Sequence, residues 1–159
     1  MADENQLKQA QATFETLCAV LDKYEWKYKK DSEKLSIECG AQGEDLPMSI
    51  DIIVDAEMTI VILLSHLPFI IPEDKRLEFA VAVSIINNKL VDGSFDYDVN
   101  SGHVIFRMTS SFLESVMGSE ALAYMLFYSC QIIDEFNDKF LMLSKGMTTL
   151  EQFIELSAN

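Results

Sequence analysis

The chain has 159 residues, is 49% apolar, and sets 26 Asp plus Glu against 12 Lys plus Arg, a formal net charge of −14. That length and apolar content suit one domain over residues 1–159 with a core of ordinary size, and set aside disorder and coiled coil as overall descriptions. The charge is opposite to what neutralising phosphates requires, so no nucleic-acid partner is expected.

No membrane partner is expected either. The longest apolar stretch, residues 58–71, is interrupted by Ser65, His66 and Pro68 and is shorter than the about 20 residues of a span. Residues 1–6 show neither the basic start nor the apolar run of a secretory signal, which points to a cytoplasmic location.

In chain order, Leu7, Ala10, Phe14, Leu17, Cys18, Leu21 and Tyr24 recur at helical spacing and predict an amphipathic helix. A Lys-rich turn follows. Lys23, Lys27, Lys29, Lys30 and Lys34 are the only basic cluster, which reads as a solvated face before it reads as a site for an acidic partner. Leu35, Ile37 and Cys39 then alternate with polar residues as in a strand, and residues 40–47 supply the next turn.

Met48, Ile50, Ile52 and Val54 alternate with Ser49, Asp51 and Asp55, the pattern of a strand with one wet face. Residues 58–66 form a third strand, apolar on both faces, because Ile60, Ile62 and Leu64 alternate with Val61 and Leu63. Pro72, with Glu73 and Asp74, opens a helix over 72–90 that carries two apolar stripes. One is Phe79, Val83, Ile86 and Leu90, the other Leu77, Val81 and Ile85.

Phe95, Tyr97 and Val99 alternate up to a turn at residues 100–102, and Val104, Phe106 and Met108 continue beyond it as a hairpin. Ser119 is placed to cap a long helix faced by Leu122, Met125, Leu126, Ile132, Ile133, Phe136, Phe140 and Leu143. Thr148 and Glu151 have capping-box spacing for a short last helix. The order αβββαββα(α) makes this an α+β domain, a mainly antiparallel sheet with helices packed largely on one face.

Sites of chemistry are sparse. Residues 96–102 place oxygen ligands at alternate positions like a calcium loop. The sixth and twelfth positions, however, hold Ser101 and Arg107 where such a loop needs glycine and glutamate. The three cysteines, Cys18, Cys39 and Cys130, have no paired spacing and read as reduced thiols. Only His66 and His103 could serve as the usual base, and neither lies in a nucleophile motif. No phosphate-binding glycine motif occurs. No catalytic residue, cofactor or metal is therefore assigned, and the chain is read as a non-enzyme.

The remaining signal is apolar surface beyond what a small monomer can cover. It gives a candidate interface of Leu77, Val81, Ile85, Val61, Leu63, Tyr124, Phe127 and Tyr128, with a two-fold homodimer as the expected partner arrangement.

Residues 67–78 (Leu67, Pro68, Phe69 through Pro72, Lys75, Arg76 and Glu78), then 86–90 with Asn87, 93–98 with Gly93 and Phe95, and 102–107 resemble the bacterial YbjN-like family of candidate sensory transduction regulators. The resemblance spans about residues 45–145. It implies a fold similar to type III secretion chaperones, dimerisation, binding of extended protein segments, and no catalytic residues. Within it, Pro72, Glu73, Lys75 and Arg76 read first as a helix start with the two bases on its solvated edge, and Asn87 and Gly93 as helix-end and turn residues.

The leading expectation is a protein-binding or regulatory module acting as a homodimer. The alternatives are a small-molecule sensor with its ligand near His66 or Tyr97, and an unrecognised enzyme, which His66 or His103 beside two carboxylates would favour.

Overall fold

Asp3 starts the first helix by a reciprocal cap: its carboxylate accepts from the Gln6 N–H, and the Gln6 side chain accepts from the Asp3 N–H, both at 2.8 Å. Helix α1, Glu4–Lys23, then buries Ala10, Phe14, Leu17, Val20 and Leu21. The predicted face holds through its middle, while Leu7 and Tyr24 at its two ends stay exposed. The computed structural model describes residues 1–158.

Four strands follow, β1 Tyr28–Asp31, β2 Ser36–Gln42, β3 Pro47–Asp55 and β4 Ile60–His66. After them come a 3₁₀ turn at Glu73–Lys75, α2 Arg76–Asn87, β5 Ser94–Tyr97, β6 Val104–Ser111, α3 Ser119–Ser144 and α4 Leu150–Leu156. All strand pairs are antiparallel, in the order β1-β2-β3-β4-β6-β5. The expected α+β class with an antiparallel sheet is what the chain forms.

One strand is additional. The lysine-rich segment read as a turn is β1, paired to β2 through Tyr28 opposite Cys39 and Lys30 opposite Ile37. It carries no apolar alternation because it lies at the sheet edge, where lysines discourage pairing with another chain.

The buried apolar residues of the sheet all lie on one face: Ile37, Met48, Ile50, Ile52, Val54, Val61, Leu63, Phe95, Val104, Phe106 and Met108. On that face α1 packs against β3, α2 against β5, and α3 against β6, with α4 on α2 and α3. The predicted apolar face of α3 is buried along its whole length. Gly118 rather than Ser119 caps this helix. The last helix is capped by Thr149 and Gln152, one residue beyond the predicted pair, and Thr148 is buried instead.

Helix α2 ends at Asn87, short of the predicted Leu90, because Asn87 is held by the next strand. Its amide donates to the Phe95 carbonyl at 2.9 Å and accepts from the Phe95 N–H at 2.8 Å. The side chain thus takes the place of a neighbouring strand along the outer side of β5. Asn87→Ala leaves both Phe95 groups without that partner and should cost about 2 kcal/mol, read from the denaturant midpoint. Asn87→Asp, which keeps the acceptor and loses the donor, should fall between the two.

Arg76 corrects a second expectation. It is not on a solvated edge but half-buried, donating to the carbonyls of Ile71, Asn100 and Ser101, so that it ties the start of α2 to the β5–β6 turn. Gly102 in that turn has φ +79°, and a Cβ there would lie 2.5 Å from the Ile71 carbonyl oxygen. Only glycine suits both the backbone angle and the close approach.

Candidate partner interfaces

Covering one face of a six-stranded sheet leaves the other face open. Cross-strand register defines that open face row by row. Ser36, Ile53, Ile62 and Thr109 lie side by side in one row, and Lys29, Glu38, Asp51, Leu64, Arg107 and Ser94 in the next. Gly40, Ser49, His66, Ile105 and Asp96 form a third. Ile53, Ile62, Leu64 and Ile105 are each half-buried and make an aliphatic band across the middle of the face.

Val61 and Leu63, both expected at an interface, are 1% exposed and lie under the helices. They belong to the chain's own core. A strand apolar on both faces does not reveal which face the helices cover. The register does. Asp55 stands opposite Ile60, so the wet face of β3 continues through Ile60, Ile62 and Leu64. The acids at 51 and 55 already carried that signal.

The other predicted residues fall into two patches. On α2, Leu77 is 80% and Val81 48% exposed, with Ile85 half-buried beside them. Ala80 and Ser84 occupy the same side of the helix, and Asn88 continues it. The only charged residues within α2 are Arg76, engaged with carbonyls, and Glu78, 3.2 Å from Lys75 Nζ. The outer face of α2 therefore carries no free charge.

On α3, Tyr124 is 48% and Phe127 43% exposed, and Tyr128 is half-buried. The Phe127 ring meets Tyr24 of α1 edge-on at 4.8 Å, while Tyr124 and Tyr128 stack at 5.3 Å, so these aromatics partly shield one another.

A cleft of about 540 Å³ opens where β4, β5 and β6 meet the β5–β6 turn, lined by His66, Asp96, Tyr97, Asp98, Ser101, His103 and Ile105. Both histidines and two carboxylates share it. Asp96 accepts from Arg107 at 2.6 and 3.2 Å, a bidentate pair that raises the Arg107 pKa.

Asp98 accepts from the Ser101 hydroxyl at 2.6 Å and the Asn100 N–H at 2.9 Å, bonds that hold its carboxyl below the ordinary range. These bonds belong to the turn, which accounts for the calcium-like spacing of residues 96–102. The Tyr97 hydroxyl donates to the Arg76 carbonyl at 3.2 Å, and burial raises its pKa. The His103 backbone N–H donates to the Ser101 hydroxyl and its carbonyl accepts from the Asp98 N–H, and among the described residues no three His, Cys, Asp or Glu side chains are placed to hold a metal ion.

The cysteines lie elsewhere. All three are free, and burial pushes the thiol of Cys39 up to about 12 and that of Cys130 up to about 11, so both are protonated at neutral pH.

No family model matches the chain, and no curated protein matches it in sequence. Solved structures do match in fold. The crystal structure of YbjN from E. coli, described as a candidate transcription regulator, covers 78% of this chain and 90% of its own, at 15% identity and a TM-score of 0.56. A chain of the HopA1–SchA chaperone–effector complex covers 80% of this chain and 95% of its own, at 14% identity and a TM-score of 0.52. The fold is YbjN-like and chaperone-like. This is the architecture that the resemblance over residues 45–145 implied. At such identities the likeness concerns the course of the backbone, and the roles of Leu77, Ile62 or His66 rest on their own surroundings. Among the described residues, no helix is long and apolar enough to cross a membrane.

Proposed function

We propose that the chain is a non-enzymatic, cytoplasmic protein-binding module that works as a homodimer and engages a segment of another protein, as a chaperone or a signalling regulator. The observation that carries the dimer is the outer face of α2, which leaves Leu77 and Val81 in water yet presents no free charge. Two chains of −14 each repel one another, so a self-contact has to form where neither copy brings charge. A two-fold contact uses the same patch on both sides, and the small residues Ala80 and Ser84 allow two helices to approach closely. The structural neighbours, one of them a chaperone–effector complex, support protein binding as the purpose.

Light scattering coupled to size exclusion tests the dimer. The expected mass is twice the 18.0 kDa of one chain, unchanged across a wide concentration range. A stable single-chain mass would overturn the dimer reading.

The cleft of His66 and Tyr97 favours a second reading, a small-molecule sensor or an unrecognised enzyme. A compound seated there should raise the melting temperature with concentration, and Ile105→Trp, which fills the cleft, should abolish the rise.

A further inference from the structure

The band of Ile53, Ile62, Leu64 and Ile105 is bordered unevenly. On the β6 side the one charge pair in the strand register is neutralised, Arg107 with Asp96. On the β2 side Glu38 and Asp51 stand directly opposite each other in the β2–β3 register, two like charges side by side, and neither is in an ion pair among the described residues. Like charges placed opposite on one sheet face weaken the pairing that holds them. Asp55 adds another acid one step beyond Ile53, and a single base, Lys29, stands opposite Glu38. The face therefore combines an aliphatic stripe with an acidic flank in which three carboxylates, Glu38, Asp51 and Asp55, are set against the one base Lys29.

We propose that the open sheet face docks an amphipathic basic segment of a partner protein, with aliphatic side chains on Ile53, Ile62 and Leu64 and a Lys or Arg set between Glu38 and Asp51. This rests on the protein-binding reading above and names where the segment lies and what chemistry it carries. The occupant is not a second copy. A chain of −14 has one basic cluster, Lys23 to Lys34, and its Lys29 already lies on this same face beside Glu38. A basic segment relieves the Glu38–Asp51 repulsion and removes the stripe from water at once, so its affinity comes from both terms together.

The test uses two synthetic peptides, each with leucines on one helical face and either lysines or glutamates on the other, titrated into the full chain at moderate salt and followed by anisotropy. The Leu/Lys peptide should bind at least tenfold more tightly than the Leu/Glu peptide. Ile62→Asn, or Ile53→Ser should the first variant misfold, should weaken binding at least tenfold with solution mass and far-UV spectrum unchanged. Asp51→Asn should weaken it several-fold and make the protein itself more resistant to denaturant, whereas Glu135→Gln, which removes an equal charge from the exposed side of α3, should do neither. Equal losses from Asp51→Asn and Glu135→Gln would reduce the effect to net charge and overturn the proposal. So would unaltered binding in both stripe variants, or a halved mass in Ile62→Asn, which would assign the face to a second copy. The dimer reading fails separately, by a single-chain mass of the unmodified protein, with the peptide result standing by itself.

Discussion

On the proposed dimer, Leu77→Glu should leave a folded single chain of 18.0 kDa. Leu77 is 80% exposed, so within one chain the substitution removes almost no packing, and its helix keeps the contacts of Phe79, Ala82, Val83 and Ile86 with the core. Across a two-fold axis the same change puts two carboxylates into a contact with no cation to meet them. Leaving even one charge buried and unpaired costs several kcal/mol, on the order of the whole free energy of a weak dimer. The circular dichroism spectrum should remain that of the native protein while the mass halves. An unchanged mass would remove α2 from the interface, and loss of structure would place Leu77 in the core. Val81→Glu, at 48% exposure, should act in the same direction with a larger cost to the chain itself.

Why α2 was legible and β4 only half so follows from geometry. A helix turns its residues through a full circle, so two stripes about opposite each other mean one inside and one outside, and the stripe of Phe79, Val83 and Ile86 took the inside. A strand apolar on both faces gives no such direction, and Val61 and Leu63, expected at an interface, lie in the core. The lysines of β1 hid a strand that is held by its backbone pairing to β2 and by Tyr28, whose hydroxyl donates to Asp22 of α1. The cleft is lined by both His66 and His103, and no local pattern encodes the nearness of residues that far apart in sequence. The same holds for Asn87 and Arg76, whose partners lie on β5 and in the turn that follows it. What was readable was whatever repeats with the period of its own element. What was not was each polar side chain whose partner is brought to it by the fold.

Phe140→Ala should be the most destabilising single change, costing about 3–5 kcal/mol in equilibrium denaturation. Its ring is fully buried at the point where three helices meet the sheet edge, with centroids 5.0 Å from Phe79 of α2, 5.1 Å from Phe95 of β5 and 5.4 Å from Phe153 of α4. Truncation leaves a void bordered by rings from three elements, and stiff aromatic walls on a twisted sheet can collapse into it only in part. Phe140→Leu keeps most of the volume and should cost clearly less. The position also links stability to assembly. Phe79 lies on the inner side of the same helix whose outer side presents Leu77 and Val81, so loosening its seat lets α2 shift on the sheet and blurs the surface offered to a second copy. Phe140→Ala should therefore weaken dimerisation at temperatures well below its own unfolding, whereas Phe14→Ala, an equally buried change on α1, should lower stability and leave the dimer constant unaltered.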